Sequence, residues 1–105
     1  MEDFIVILVT ASSEEEAKKI AQSLVDKRLA ACVNIIKNVY SLFWWQGKID
    51  SAKEVLLVIK TRKALAAKLI KKIKSLHSYE VPEIIALPIV SGNKEYLEWI
   101  NESTR

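Results

Sequence analysis

Apolar and polar positions follow distinct rhythms along this chain, and the rhythms locate its elements. Residues 4–11, FIVILVTA, form an unbroken, β-branched apolar run that predicts a buried strand. Residues 12–30 change to helical spacing, with Ala17, Ile20, Ala21, Leu24 and Val25 at i, i+3, i+4, i+7 and i+8 on one apolar stripe. Ser12 or Ser13 supplies the cap with Glu15 or Glu16 three residues on. Glu14 to Glu16 suit the positive end of that helix, and Lys27 and Arg28 the negative end. Residues 31–46 return to strand character with a break at Lys37-Asn38, and Gln46-Gly47-Lys48 turns the chain into a third strand over 49–61. A second helix follows, with Thr61 as its cap and Leu65, Leu69, Ile73 and Leu76 directed inward. Pro82 holds Val81 extended ahead of a fourth strand over 83–90, Pro88 assigns that strand to an edge or a bulge, and Asn93 caps a last helix over 94–103.

The order βαββαβ plus a short C-terminal helix is that of the ferredoxin-like plait, an α+β fold. A plait carries its two helices on one sheet face, so a solitary domain needs strands that are polar on the other. Phe4 to Val9, Val55 to Ile59 and Ile84 to Leu87 are apolar on both, so the helix-free face is expected to need a cover that the chain lacks. Residues 31–46 would extend ~50 Å at ~3.3 Å per residue, against a diameter of roughly 33 Å for a globule of this length. The hairpin therefore bends or protrudes. Its tip carries Phe43, Trp44 and Trp45 on both faces, which marks an oligomer contact.

Composition narrows the setting. The 105 residues hold only two glycines and two prolines, with no linker, so residues 1–105 make one domain. The longest apolar runs are far short of the ~20 residues that cross a bilayer, and the acidic start MEDF does not resemble a signal peptide. A cytoplasmic protein with no membrane partner is expected. Cys32 is the single cysteine, which suits a reducing compartment. The net charge of +3 is mostly interspersed, except that Arg62, Lys63, Lys68, Lys71, Lys72 and Lys74 form a run without acids. Between a phosphate-binding face and a solvated surface, the second is favoured.

Catalytic patterns are missing: no Gly-rich phosphate loop, no G-x-S-x-G, no HExxH and no CxxC. Glu80 and Glu83 lie three apart across a proline, a spacing that does not make them face one another. No enzyme is expected. An RNA-binding plait shares the element order, but KEVLLVIKT has neither the aromatics nor the glycine of its third-strand signature, so no nucleic-acid partner is expected either.

The blocks LVTA (8–11), KRLAACVNII (27–36), SLFWWQGKID (41–50), EVLLVIKT (54–61) and LHSYEVPEIIALPIVSGNKEYLEWI (76–100) together resemble the CutA family of divalent-cation tolerance proteins over essentially the whole chain. The resemblance implies a homotrimer with an architecture similar to the PII signalling proteins. It also implies an association with copper tolerance and divalent-metal binding, without an established catalytic activity and with no required cofactor. Some copper-linked bacterial members carry a cysteine before the Thr-Ala of the first strand and paired histidines before the Tyr motif. Here those positions are Val9 and Leu76, which leaves His77 and Cys32 as candidate ligands for weakly bound Cu²⁺ or another divalent cation. His77 is equally a helix-ending residue and Cys32 a small buried hydrophobe. Thr10, Lys60, Tyr79 and Glu80 are candidate cleft residues, and a PII-type module binding a small anion or metabolite is the alternative function.

Overall fold

The computed structural model describes residues 3–105; Met1 and Glu2, half of the acidic start considered above, lie outside the described residues. Its elements are β1 (Phe4–Ala11), α1 (Glu14–Asp26), β2 (Cys32–Trp45), β3 (Lys48–Arg62), α2 (Ala66–Leu76), β4 (Ile84–Pro88) and α3 (Lys94–Ser103). They form one antiparallel sheet of order β2-β3-β1-β4. Element order and sheet order are those of the plait. β4 is an edge strand, where Pro88 lacks only a hydrogen bond the edge does not need.

One sheet face is dry. Ile5, Ile7, Val9, Val55, Leu57 and Ile59 pack there against Ala17, Ile20 and Leu24 of α1 and Leu69 and Ile73 of α2. Ser13 caps α1 by accepting from the Glu16 amide at 3.1 Å, and the Glu16 carboxylate reaches back to the Ser12 amide at 3.0 Å. Val25, expected in the buried stripe, is exposed because it lies at the stripe's margin. Lys27 is the C-cap, and Arg28 turns the chain in the left-handed region at φ 57° while its guanidinium donates to the Ser103 carbonyl at 3.1 Å.

Thr61 is not the cap of α2. β3 continues through Arg62, which pairs with Phe4, so Thr61 stays inside the ladder, fully buried, with its hydroxyl donating to the Leu29 carbonyl at 2.7 Å. α2 begins instead through a 3-10 turn, Lys63–Leu65, without any side-chain cap. Leu69 and Ile73 face inward as expected, but Leu65 is half-buried and Leu76 is 39% exposed, since the last turn overhangs the sheet.

Cross-strand partners share a face, so the register also defines the opposite side: Phe4, Val6, Leu8, Thr10, Leu56, Val58, Lys60, Arg62, Ile85 and Leu87. This side is partly covered from within the chain, contrary to expectation. α3 packs against β3 here, with Arg62 donating to the Thr104 hydroxyl at 2.9 Å and to its carbonyl at 2.6 Å. The cover is incomplete: Ile85 is 52% and Leu87 45% exposed.

The hairpin protrudes. β2 is continuous where a break was expected; Lys37-Asn38 forms a β-bulge, with Ile36 opposite Leu56 and Val39 opposite Glu54, so three residues of β2 span two of β3. Beyond it, Gln46 (φ 50°) and Gly47 (φ 78°) make the two-residue turn whose twist matches the strands. The molecule measures 44 × 26 × 23 Å, and the seven residues from Val39 to Trp45 contribute about 23 Å of arm at ~3.3 Å each. Phe43 and Trp45 lie on one face of the arm; Tyr40, Leu42 and Trp44 lie on the other, with Trp44 74% exposed.

Candidate functional site

The sequence candidates fall into two separate clusters. The first surrounds His77, where α2 ends against β1. Its backbone amide closes the helix on the Ile73 carbonyl at 2.9 Å. The imidazole then makes two bonds of opposite sense. The Tyr79 amide can only donate, so it fixes Nδ1 as the acceptor at 3.0 Å; Nε2 therefore carries the proton and donates to the Thr10 carbonyl at 2.7 Å. The neutral ring thus ties the end of a helix to the end of a strand.

Tyr79 packs against His77 with the rings tilted by 47° and their centroids 4.8 Å apart, and it donates its hydroxyl to Glu54 Oε2 at 2.8 Å. Burial, followed by the hydrogen bond to Glu54 and its negative charge, pushes the Tyr79 phenol up to about 12. Glu54 itself is buried, entering at the start of the apolar half of β3. One residue before Tyr79, the Ser78 amide donates to Glu16 Oε2 at 2.8 Å. Burial alone would raise the Glu16 carboxyl, but the bonds from Ser78 and Ser12 outweigh it and hold the group below its ordinary value. Two consecutive loop amides are therefore clamped, that of Ser78 by a carboxylate and that of Tyr79 by an imidazole. Glu80 is exposed beyond the clamp and Thr10 is nearly buried beneath it.

The second cluster lies under α3. Cys32 pairs with Lys60, whose ammonium lies 3.9 Å from the sulfur and donates to the Asn34 side-chain oxygen. The Tyr96 phenol contacts the same sulfur and is raised above its ordinary value by burial, then by its electrostatic interaction and hydrogen bond with the Cys32 side chain. Cys32 is half-buried rather than a core residue.

The two clusters do not meet. Cys32 and Lys60 stand level with Val6, His77 with Thr10, and four residues of β1 separate those levels by about 13 Å. The four cleft candidates divide accordingly, with Lys60 on one side and Thr10, Tyr79 and Glu80 on the other. Among the described residues, no three His, Cys, Asp or Glu side chains converge as metal ligands, and no helix is long and apolar enough to cross a membrane. Sequence reasoning missed Glu54, Glu16, Asn34 and Tyr96. Glu54 had a signal, since an acid heading the run VLLVI enters a buried strand and needs a donor.

A four-stranded antiparallel plait with a third helix on the opposite face, a long aromatic hairpin and a His-Tyr-Glu network at the end of its second helix defines an α+β protein of one specific kind. The family profile described as CutA1 divalent ion tolerance protein matches residues 5–103. The chain belongs to that family. A divalent-cation tolerance protein CutA of Thermus thermophilus is 50% identical over 99 residues, covering 94% of this chain and 96% of that protein. The chloroplastic protein CutA 1 of rice is 48% identical over 101 residues, 96% of this chain but 57% of the rice protein, and human protein CutA is 48% identical over 96 residues, 91% and 54%. This chain thus spans little more than half the length of those plant and mammalian relatives. The solved Thermus structure covers 100% of both chains with a TM-score of 0.94 at 50% identity. That of rice CutA1 gives 0.96 at 48% identity over 98% of this chain and 94% of that one.

Proposed function

We propose that the chain is a non-catalytic, cytoplasmic divalent-cation tolerance protein that works as a homotrimer with joined sheets, in the manner of PII proteins, and takes up Cu²⁺ or another divalent cation weakly. The observation that carries this reading is the half-covered apolar side of the sheet, with Ile85 and Leu87 exposed on the edge strand β4, together with the protruding arm that bears Phe43, Trp44 and Trp45. Apolar surface of this kind, together with exposed aromatic anchors, favours association with another copy. Native mass spectrometry or sedimentation at micromolar concentration is expected to give three subunits, and a stable monomer refutes the assembly. Replacing Trp44 and Trp45 together by Ala should weaken association by about 2–4 kcal/mol for each central anchor.

The His77 geometry supports a loose metal contact over a tight one. A cation needs the Nδ1 lone pair, which the Tyr79 amide holds at 3.0 Å, so binding must first release that amide. Imidazole suits Cu²⁺, and Glu80 is exposed nearby as an oxygen donor. Affinity should fall on acidification, because the metal requires the neutral ring. Isothermal titration with Cu²⁺ on the native protein and on His77→Ala tests this; identical isotherms leave His77 with its structural role alone. The alternative, a PII-type small-anion site, is favoured by Lys60, although its ammonium already donates to Asn34. An anion retained through native mass spectrometry and lost in Lys60→Ala would support that alternative.

A further inference from the structure

Positive charge is unopposed along the outer side of α2. Lys63, Lys68, Lys71 and Lys74 are exposed and Lys72 is half-buried, and no Asp or Glu occurs from Arg62 to Tyr79. None of the five lysines forms an ion pair among the described residues, whereas Lys18 and Lys37 both lie within reach of Glu14 and Arg105 pairs with Glu102. At about 100° per residue, Lys68, Lys71 and Lys72 occupy one arc of roughly 100°, with Lys63 and Lys74 beside it. The centre of the arc lies about 130° around the helix from the mean direction of Leu69 and Ile73, which are buried on the sheet. The lysines therefore point away from the sheet, whatever covers its other side.

The shape of this surface selects among polyanions. α1 packs beside α2 in one layer, so α2 cannot enter a DNA major groove about 12 Å wide without α1 colliding. α2 contains no arginine to grip a phosphate or a base edge with two bonds, and no aromatic residue on which a base could stack. What remains is a broad layer with flexible point charges, suited to a continuous plane of negative charge. The apolar side of α2 is committed to the core, so nothing is left to insert between acyl chains. We propose that the lysine face of α2 is a peripheral docking surface for bilayers containing anionic phospholipid, held by charge alone.

The test is cosedimentation of the full chain with phosphatidylcholine vesicles made with and without phosphatidylserine, at low and at near-physiological salt. Binding is expected only to the phosphatidylserine vesicles and should weaken steeply with salt. A lysine near such a surface contributes about fivefold in affinity, so the combined Lys68→Ala, Lys71→Ala and Lys72→Ala variant should bind about 100-fold more weakly. A control variant, Lys18→Ala with Lys19→Ala and Lys27→Ala, removes the same charge from α1 and its C-cap and should bind as the native chain does; circular dichroism verifies that both are folded. No binding at low salt, an equal loss in the control, or tighter binding to duplex DNA than to the vesicles would each overturn the proposal.

Discussion

The two faces of the sheet are made of the same residue types and end in opposite states. Leu57 on β3 is fully buried under α1 and α2, while Leu87 on β4, one strand beyond β1, remains nearly half exposed. Both sit in apolar runs that read identically along the sequence. The difference arises from length: two helices of 13 and 11 residues roof one face, and a single helix of 10 covers only part of the other. An apolar run records that a strand will be covered; the cover itself depends on which elements cross which side.

The contrast can be broken by experiment. Leu57→Ala should lower unfolding stability by about 3 kcal/mol through lost transfer energy and a residual cavity, measured by urea titration. The same truncation at Leu87 should shift the unfolding of dilute protein by less than about 1 kcal/mol and appear in self-association instead. Equal costs at the two positions would show that the faces are equivalent in the folded subunit.

Smaller effects sharpen the boundary between dry and open regions. Thr61→Val keeps the side chain's shape but leaves the Leu29 carbonyl without its donor, which should cost about 1–2 kcal/mol by calorimetry. Tyr79→Phe removes the bond to Glu54 and should cost about 1 kcal/mol near neutrality. It also carries a pH signature. The phenol's folded value is raised from 10.0 to about 12, so its contribution is complete below pH 10 and is lost as pH rises towards 12. Melting curves of Tyr79→Phe should therefore lack that part of the native protein's alkaline decline.

Much of the fold was legible because its signals are local. Ser13 with Glu16, Asn93 at the start of α3, and Gln46-Gly47 at the hairpin each act within a few residues and behave as the sequence indicates. Thr61 was misread because a threonine ahead of a helical pattern looks like a cap, and only the pairing of Arg62 with Phe4 extends the strand through it. The side chosen by α3 was invisible for a related reason: it depends on Arg62 meeting Thr104 across 42 residues. The candidate site was legible in part. His77 and Tyr79 attracted notice as residue types, but their bonds run to Thr10 and Glu54, whose involvement depends on tertiary placement.

The bulge at Lys37-Asn38 acts on the arm as a half-period phase shift. Up to Ile36 the even-numbered residues of β2 share a side with Leu56 and Val58; after it the odd-numbered residues Val39, Ser41, Phe43 and Trp45 take that side. Straightening the bulge with Asn38 kept in line would set Val39 opposite Lys53 and exchange Phe43 and Trp45 for Tyr40, Leu42 and Trp44, whereas deleting Asn38 would leave Val39 opposite Glu54 and every aromatic on its present face. Which aromatic surface the arm presents to a neighbour is thus set at its root, where the bulge takes the surplus residue out of line.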